Sequence, residues 1–73
     1  MTIQEIVSTQ ISAEVILHTG NVRAVMFGKV CDFGEGGKFI ILQNKNSPDS
    51  IVFTEENISL IQSSPRHVII YIS

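Results

Sequence analysis

Short apolar runs alternate with turn-forming segments along this chain. Phe39 to Leu42 is an unbroken apolar run, and a second apolar stretch occupies Ile51 to Ile61. Both are too short or too interrupted for helices, and the turn-forming segment Lys45 to Ser50 separates them. With a third apolar run at Ala13 to Leu17, this pattern predicts one small, mostly β barrel.

The first half of the chain shows strand and turn signals. Ala13 to His18 is predicted as a strand, and Thr19-Gly20-Asn21 after it has hairpin-turn chemistry. Val22 to Phe33 alternates between an apolar face and a mixed face, which is typical of a long strand. Gly28 in its middle indicates a bend or bulge, by which one strand can serve both sides of a small barrel. Gly34 to Gly37 is predicted to be a turn.

The C-terminal third continues the pattern of short strands. Ile51 to Phe53 is predicted as a strand, followed by a tight turn or a single 3₁₀ turn at Glu55 to Asn57. Apolar residues resume at Ile58 to Ile61, Pro65 breaks the chain, and Val68 to Ile72 forms a final strand.

The N-terminal segment from Thr2 to Ile11 fits two structures. Its isoleucines and Val7 fall near helical spacing, and Thr2 with Glu5 has the spacing of a capping box. The β-branched content of the same segment suits a strand. The capping signal favours a short helix, with a strand as the alternative.

Size and hydrophobicity together indicate self-association. The chain has 73 residues, of which 44% are hydrophobic and 16% charged. A domain of this size buries only about 60–65% of its unfolded surface, so it has little room to hide a surplus of aliphatic side chains. Burial of the surplus against another copy costs less than its exposure to water. We therefore expect a single domain that forms a homo-oligomer.

Charge and cysteine content limit the cellular environment and the binding partners that the sequence allows. Seven acidic residues against five basic ones give a formal net charge of −2, which argues against tight non-specific binding to nucleic acid. A single cysteine, Cys31, excludes an intramolecular disulfide. Residues 1–10 lack signal-peptide features, and no run approaches the roughly 20 apolar residues of a membrane helix. These features predict a cytoplasmic protein with no membrane association.

Candidate catalytic and metal-binding residues are scattered. His18, His67 and Cys31 stand singly, whereas a zinc site needs three or four ligands at workable spacing. Glu55 and Glu56 are adjacent in a predicted turn and point in different directions, so they do not form an acid–base pair. The sequence predicts neither an enzyme nor a cofactor.

The aromatic residues divide by their neighbours. Phe39 and Phe53 lie within apolar runs and are predicted to belong to the core. Phe33 stands between Asp32 and a glycine-rich turn, which places it at the surface or the rim.

Four segments lie between about Val15 and Ser63: V-I-L-H-T-G, G-K-V-C-D-F, K-F-I-I-L-Q-N and I-V-F-T-E-E-N-I-S-L-I-Q-S-S. In this order they resemble the Sm-like barrel family, and within it the bacterial Hfq type. The resemblance implies a single Sm-like domain over residues 1–73, a five-stranded bent SH3-like barrel with a short N-terminal helix. It also implies a ring of six or seven copies, in which the fourth strand of one pairs with the fifth of the next.

The same resemblance implies single-stranded RNA as a ligand. Phe33 and Phe39 match positions near an aromatic residue that stacks uridine, and Lys38 and Asn57 complete the implied contact set. Where the family carries a Lys-His pair, this chain has Glu55-Glu56-Asn57, which would repel phosphate. Two hypotheses arise: a ring-forming protein that binds single-stranded RNA, and an acidic homo-oligomeric structural or protein-interaction module without nucleic-acid binding.

Overall fold

A computed structural model describes residues 1–34, 37–43 and 50–73. Over these residues the chain forms a short helix and six strands, which confirms the mostly β fold class. The elements are α1 (Ile3–Thr9), β1 (Ser12–Thr19), β2 (Val22–Asp32), β3 (Lys38–Gln43), β4 (Ser50–Thr54), a 3₁₀ turn (Glu55–Asn57), β5 (Ile58–Ser63) and β6 (Val68–Ile72). At 7 residues, α1 is the longest helix in the described part, far below the length needed to cross a bilayer.

The six strands form one sheet in the order β4-β3-β2-β1-β6-β5. Neighbours are antiparallel except β1 and β6, which run parallel. Within the described residues β4 and β5 are the two edges and do not pair, so the sheet is not closed into a barrel. Only the turn Glu55–Asn57 separates these edges along the chain. The sheet must therefore curl until its two edges approach each other at that turn.

The final strand predicted at Val68 to Ile72 is confirmed, and it exceeds the five strands that the family resemblance implies. Val68–Ile72 is β6, and it lies between β1 and β5 instead of joining an outer edge. Its buried positions alternate strictly, with Val68, Ile70 and Ile72 facing the core. This insertion gives six strands where the family resemblance implies five.

The core occupies the inner face of the curled sheet. In β2, Met26, Gly28 and Val30 are buried, whereas Val25 and Lys29 are exposed, as the alternation predicts. Phe39 and Phe53 pair across β3 and β4 with ring centroids 5.9 Å apart, which confirms both as core residues. The buried set is Ile3, Ile6, Ala13, Val15, Met26, Val30, Phe39, Ile41, Phe53, Val68, Ile70 and Ile72.

Gly28 marks the point where β2 changes partner. The strand pairs with β1 from Val22 to Lys29 and with β3 from Gly28 to Asp32. β2 thus pairs with β1 along its first part and with β3 along its last part, as expected. The β1–β2 register passes Gly28 without a shift and the β2–β3 register begins there, so the bulge predicted as one alternative is not present at Gly28.

The N-terminal segment is a helix, held at its start by the predicted capping box. The Thr2 hydroxyl accepts the Glu5 N–H at 3.2 Å, and Glu5 Oε1 accepts the Thr2 N–H at 3.2 Å. At the other end, Lys29 Nζ donates to the Gln10 carbonyl at 2.7 Å, a favourable position for a cation. Ile6 packs into the core, so the helix docks on the sheet and does not stand alone.

We expect Thr2→Ala to lower the free energy of unfolding by about 1 kcal/mol, because the first-turn N–H of Glu5 loses its acceptor. Urea denaturation followed by circular dichroism would measure the change. Thr9→Ala is the matched control, since Thr9 also lies at the surface of α1 but makes no cap. Equal losses in the two variants would contradict the capping role.

The predicted turns are confirmed where the structure describes them. Gly20 and Asn21 join β1 to β2, with Gly20 at φ +56°, and Glu55–Asn57 is a 3₁₀ turn. The interior of the turn predicted at Gly34 to Gly37 lies outside the described residues, and so does the turn-forming segment predicted at Lys45 to Ser50, except for Ser50, which is the first residue of β4.

Candidate functional site

Phe33 and Lys38 lie side by side where β2 ends and β3 begins. The Phe33 N–H donates to the Lys38 carbonyl at 2.9 Å, and the Asp32 carboxylate accepts the Gly34 N–H at 3.0 Å. Phe33 is 53% exposed and Lys38 is also exposed. The rim position predicted for Phe33 is confirmed. An open aromatic ring beside a cation can stack a base and meet its phosphate.

Phe39 does not share that surface. It is 7% exposed and packs on the inner face of the sheet against Phe53. Of the two roles considered for Phe39, the core role is confirmed, and stacking on a base would require the sheet to open. Phe39 therefore does not belong to the proposed contact surface.

Asn57 uses its side chain to hold the 3₁₀ turn. Its Oδ1 accepts the Thr54 N–H at 3.0 Å and the Thr54 hydroxyl at 3.1 Å. Its Nδ2 donates to the Ser73 carbonyl at 3.2 Å, and the Ser73 N–H donates back to the Asn57 carbonyl at 3.0 Å. The amide therefore ties the end of β4 to the residue after β6. Thr54 is also the cross-strand partner of Lys38, so the turn adjoins the Phe33–Lys38 corner.

Glu55, one of the two acidic residues of the turn, contacts the first turn of α1. Glu55 and Glu56 are exposed, and Glu55 Oε1 accepts a hydrogen bond from Gln4 Nε2 at 3.0 Å. Two carboxylates beside Asn57 oppose phosphate at this position. The charge of Lys38 makes the Phe33–Lys38 corner a better contact for a polyanion than Asn57, and the Asp32 carboxylate at the same corner opposes it in part.

A small groove lies beside the edge strand β5. Its volume is about 270 Å³, and its lining comprises Thr2, Ile3, Gln4, Glu55, Ile58 and Ile61. Ile58 and Ile61 are only half-buried. Pockets for small molecules usually measure about 300–1,000 Å³, so this groove suits one or two side chains better than a metabolite.

Both sheet edges present an apolar side chain on the outer face, the side of the sheet opposite the core. Val52 on β4 is 47% exposed and Leu60 on β5 is 54% exposed. Neighbouring residues of β4 confirm the orientation, since Phe53 points to the core and Val52 away from it. Open strand edges with exposed apolar residues are templates for pairing with another chain.

A row of apolar residues crosses the outer face on four adjacent strands. Cross-strand pairs join Val25 to Ile16, Ile16 to Tyr71, and Tyr71 to Leu60. We call this the outer row. The alternation along β2 predicted a mixed character for this face, but the register that aligns it with β1, β6 and β5 is set by long-range pairing.

The β5–β6 turn brings together a serine, a histidine and a carboxylate that no sequence pattern connects. Ser64 Oγ lies 3.4 Å from His67 Nδ1, and His67 Nε2 lies 3.4 Å from Glu14 Oε1 without hydrogen-bond geometry. The Ser64 hydroxyl donates to the His67 carbonyl at 2.7 Å, so its proton closes the turn and is not directed at the imidazole. The His67 ring packs edge-on against Phe27, with centroids 5.5 Å apart. This cluster locks a turn and does not present an activated nucleophile.

Potential metal ligands remain dispersed in the described part of the chain. Across residues 1–34, 37–43 and 50–73, histidine, cysteine and carboxylate side chains do not gather in groups of three or more that could hold an ion. Comparison with protein-family models, with curated proteins and with solved structures finds no match for this chain. The features that bear on function are thus the two open edges, the outer row and the Phe33–Lys38 corner.

Proposed function

We propose that this protein is a self-assembling β module of Sm-like shape, in which β4 of one copy pairs with β5 of the next to close a ring. The observation that carries the proposal is the pair of unpaired edges, each with an exposed apolar residue on the same face. Joining the edges satisfies their free backbone N–H and C=O groups. It also completes, between copies, the closure of the sheet that each copy leaves open.

Side chains on both faces of the sheet support this pairing. On the outer face, Val52 of one copy would lie beside Leu60 of the next. On the inner face, Ile51 is half-buried and projects from the same side as the core residue Ile41. A neighbour's Ile51 would therefore extend toward Ile58 and Ile61, which line the groove beside β5.

The kind of contact allows closure into a ring. Pairing β4 with β5 uses two different surfaces of the same chain, so each added copy leaves one edge of each kind open. Such head-to-tail contacts end in a ring when the rotation between copies closes. The strong curl of the sheet, which brings β4 and β5 near each other at Glu55–Asn57, supplies a large rotation per copy.

The net charge of −2 suits a module that binds protein partners better than one that binds nucleic acid without sequence preference.

Assembly is tested by the mass of the particle in solution. Light scattering coupled to size exclusion, together with native mass spectrometry, should give a single mass that is an integer multiple of 8.1 kDa greater than one. A stable particle of one chain that is well folded by circular dichroism would overturn the proposal.

A second candidate function is binding of single-stranded RNA at the Phe33–Lys38 corner. There the backbone hydrogen bond from Phe33 to Lys38 holds an exposed aromatic residue next to an exposed lysine. A ring would repeat this corner once per copy. Several weak contacts would then act together on one strand of RNA.

We expect Phe33→Ala to weaken binding of U-rich RNA by about tenfold or more, because one stacking platform is lost. Fluorescence anisotropy with U-rich and A-rich oligonucleotides at two salt concentrations would measure it, and Lys38→Ala should reduce the salt dependence. Phe27→Ala, an exposed ring on the outer face, is the control. No binding of either RNA at low salt would eliminate this function and leave the protein-interaction module.

A further inference from the structure

The edge strand β5 contains a β-bulge at Ser59. Ile58 pairs with Ile72 of β6 and Leu60 pairs with Tyr71, so Ser59 is an extra residue on β5. A bulge bends its strand, re-aims the side chains around it and interrupts a ladder that runs through it. A strand added to the free side of β5 therefore finds a regular edge in the part of β5 that follows Ser59.

The bulge places Ile58 and Ile61 on the same face of the sheet. In a regular strand, residues three positions apart point to opposite faces. Here Ile58 and Ile61 lie opposite the buried residues Ile72 and Ile70, and both pack against the core. Together with the buried Ile3 of α1, they form the apolar lining of the groove beside β5. The groove at this edge is therefore a product of the bulge.

We infer, on the basis of the proposed assembly through β4 and β5, that the bulge at Ser59 sets the register of that assembly. In this register β4 of one copy runs antiparallel to β5 of the next, and Ile51 lies opposite Ile61 with its side chain in the groove. Val52 then lies opposite Leu60 on the outer face, where both are about half exposed in the single chain. Apolar residues thus meet apolar residues on both faces of the joined sheet.

Other registers match the two edges less well. A shift by one residue sets inner-face side chains against outer-face ones. A shift by two towards the end of β5 places Val52 opposite Gln62 and Ile51 opposite Ser63, an apolar residue against a polar one on each face. A shift by two the other way places Ile51 opposite the bulged Ser59, and so does parallel pairing with the same outer-face pair.

The inferred register also makes α1 part of the contact between copies. Three residues at the start of the chain, Thr2, Ile3 and Gln4, line the groove, and Gln4 is hydrogen-bonded to Glu55 on its opposite side. Ile51 is half-buried in the single chain, so the groove would cover the part of its side chain that remains exposed. A volume of about 270 Å³ leaves room for that side chain.

Paired cysteines test the register, in a Cys31→Ser background that removes the native free thiol. Opposed residues of an antiparallel pair have Cα atoms about 4.5–5.5 Å apart, within the roughly 4.4–6.8 Å that a disulfide spans. We expect Ile51→Cys combined with Ile61→Cys to form covalent multimers with oxidised glutathione. These multimers should appear on a non-reducing denaturing gel and return to single chains on reduction.

Two matched pairs report the competing registers. Ile51→Cys combined with Ser63→Cys, or with Ser59→Cys, should cross-link about tenfold or more slowly, because diagonal neighbours lie about 7–8 Å apart. Val52→Cys combined with Leu60→Cys reads the inferred register on the outer face, and gives a result if the inner-face variants do not fold. Circular dichroism of the reduced proteins establishes which variants are folded.

The outcomes separate the register from the assembly itself. Faster cross-linking of position 51 to position 59 or 63 would overturn the inferred register and leave edge pairing in place. A multimer that forms none of these cross-links, or a link between positions 51 and 61 within one chain, would also overturn it. A wild-type particle of one chain would overturn the proposed assembly, and the register with it.

Discussion

Replacing Phe53 with alanine is expected to lower the free energy of unfolding by about 3–5 kcal/mol. Phe53 is 2% exposed and packs against Phe39 across the β3–β4 pair. Removal of its ring takes away buried apolar area and leaves a cavity that the surrounding strands fill only in part. A domain of this length has a total stability of about 4–11 kcal/mol, so the expected loss removes between about a quarter and all of that stability. Urea or thermal denaturation followed by circular dichroism measures the effect.

Two further variants are references for the loss of stability expected in Phe53→Ala. Phe33→Ala removes the same ring from a position that is largely exposed, and should change stability by no more than about 0.5 kcal/mol. Phe53→Leu keeps most of the buried volume and should remain folded with a measurable, smaller loss, which secures a result if the alanine variant does not fold. A loss for Phe53→Ala no larger than that for Phe33→Ala would contradict the placement of the core.

The local elements of this fold could be predicted because each carries its signal in adjacent residues. The alternation from Val22 to Asp32 specifies which side chains face the core. In the N-terminal segment the β-branched residues left helix and strand open. The Thr2–Glu5 capping box, formed as its spacing predicted, satisfies the first turn and accompanies the helix.

The arrangement of those strands could not be predicted in the same way. β6 could have extended an edge, but it inserts between β1 and β5 and runs parallel to β1. That choice depends on Val68 and Ile70 fitting beside Ala13 and Val15, residues more than fifty positions away. No local pattern encodes such a pairing, and the family resemblance supplied only five strands.

The candidate contact residues also differ in whether their positions depend on neighbours in sequence or on long-range contacts. Phe33 at the rim and Phe39 in the core are placed by their immediate neighbours, a glycine-rich turn and an apolar run. The structural role of Asn57 is local only in part. Its Oδ1 accepts the N–H and hydroxyl of Thr54, three residues earlier, whereas its Nδ2 donates to Ser73, which is 16 residues later. The contact of His67 with Glu14 is likewise created by the β1–β6 pairing and has no signal in the sequence.

Charge at a sheet edge should abolish assembly. We expect Val52→Lys or Leu60→Glu to reduce the particle to a single chain, because either change places an ionised group in the apolar contact between adjoining β4 and β5 edges. Both positions are about half exposed in the isolated chain, so the stability of that chain should change by no more than about 0.5 kcal/mol. Light scattering reports the mass, and circular dichroism confirms that each variant is folded.

The double variant separates edge pairing from general loss of hydrophobicity. In a head-to-tail contact Lys at position 52 of one copy would face Glu at position 60 of the next, so Val52→Lys combined with Leu60→Glu should recover the assembly at least in part and lose it again at high salt. Val22→Lys, which adds the same charge at an exposed valine away from both edges, should leave the mass unchanged. If the assembly resists both single substitutions, or if Val22→Lys disrupts it equally, the subunits are held together by another surface and β4 and β5 remain free edges.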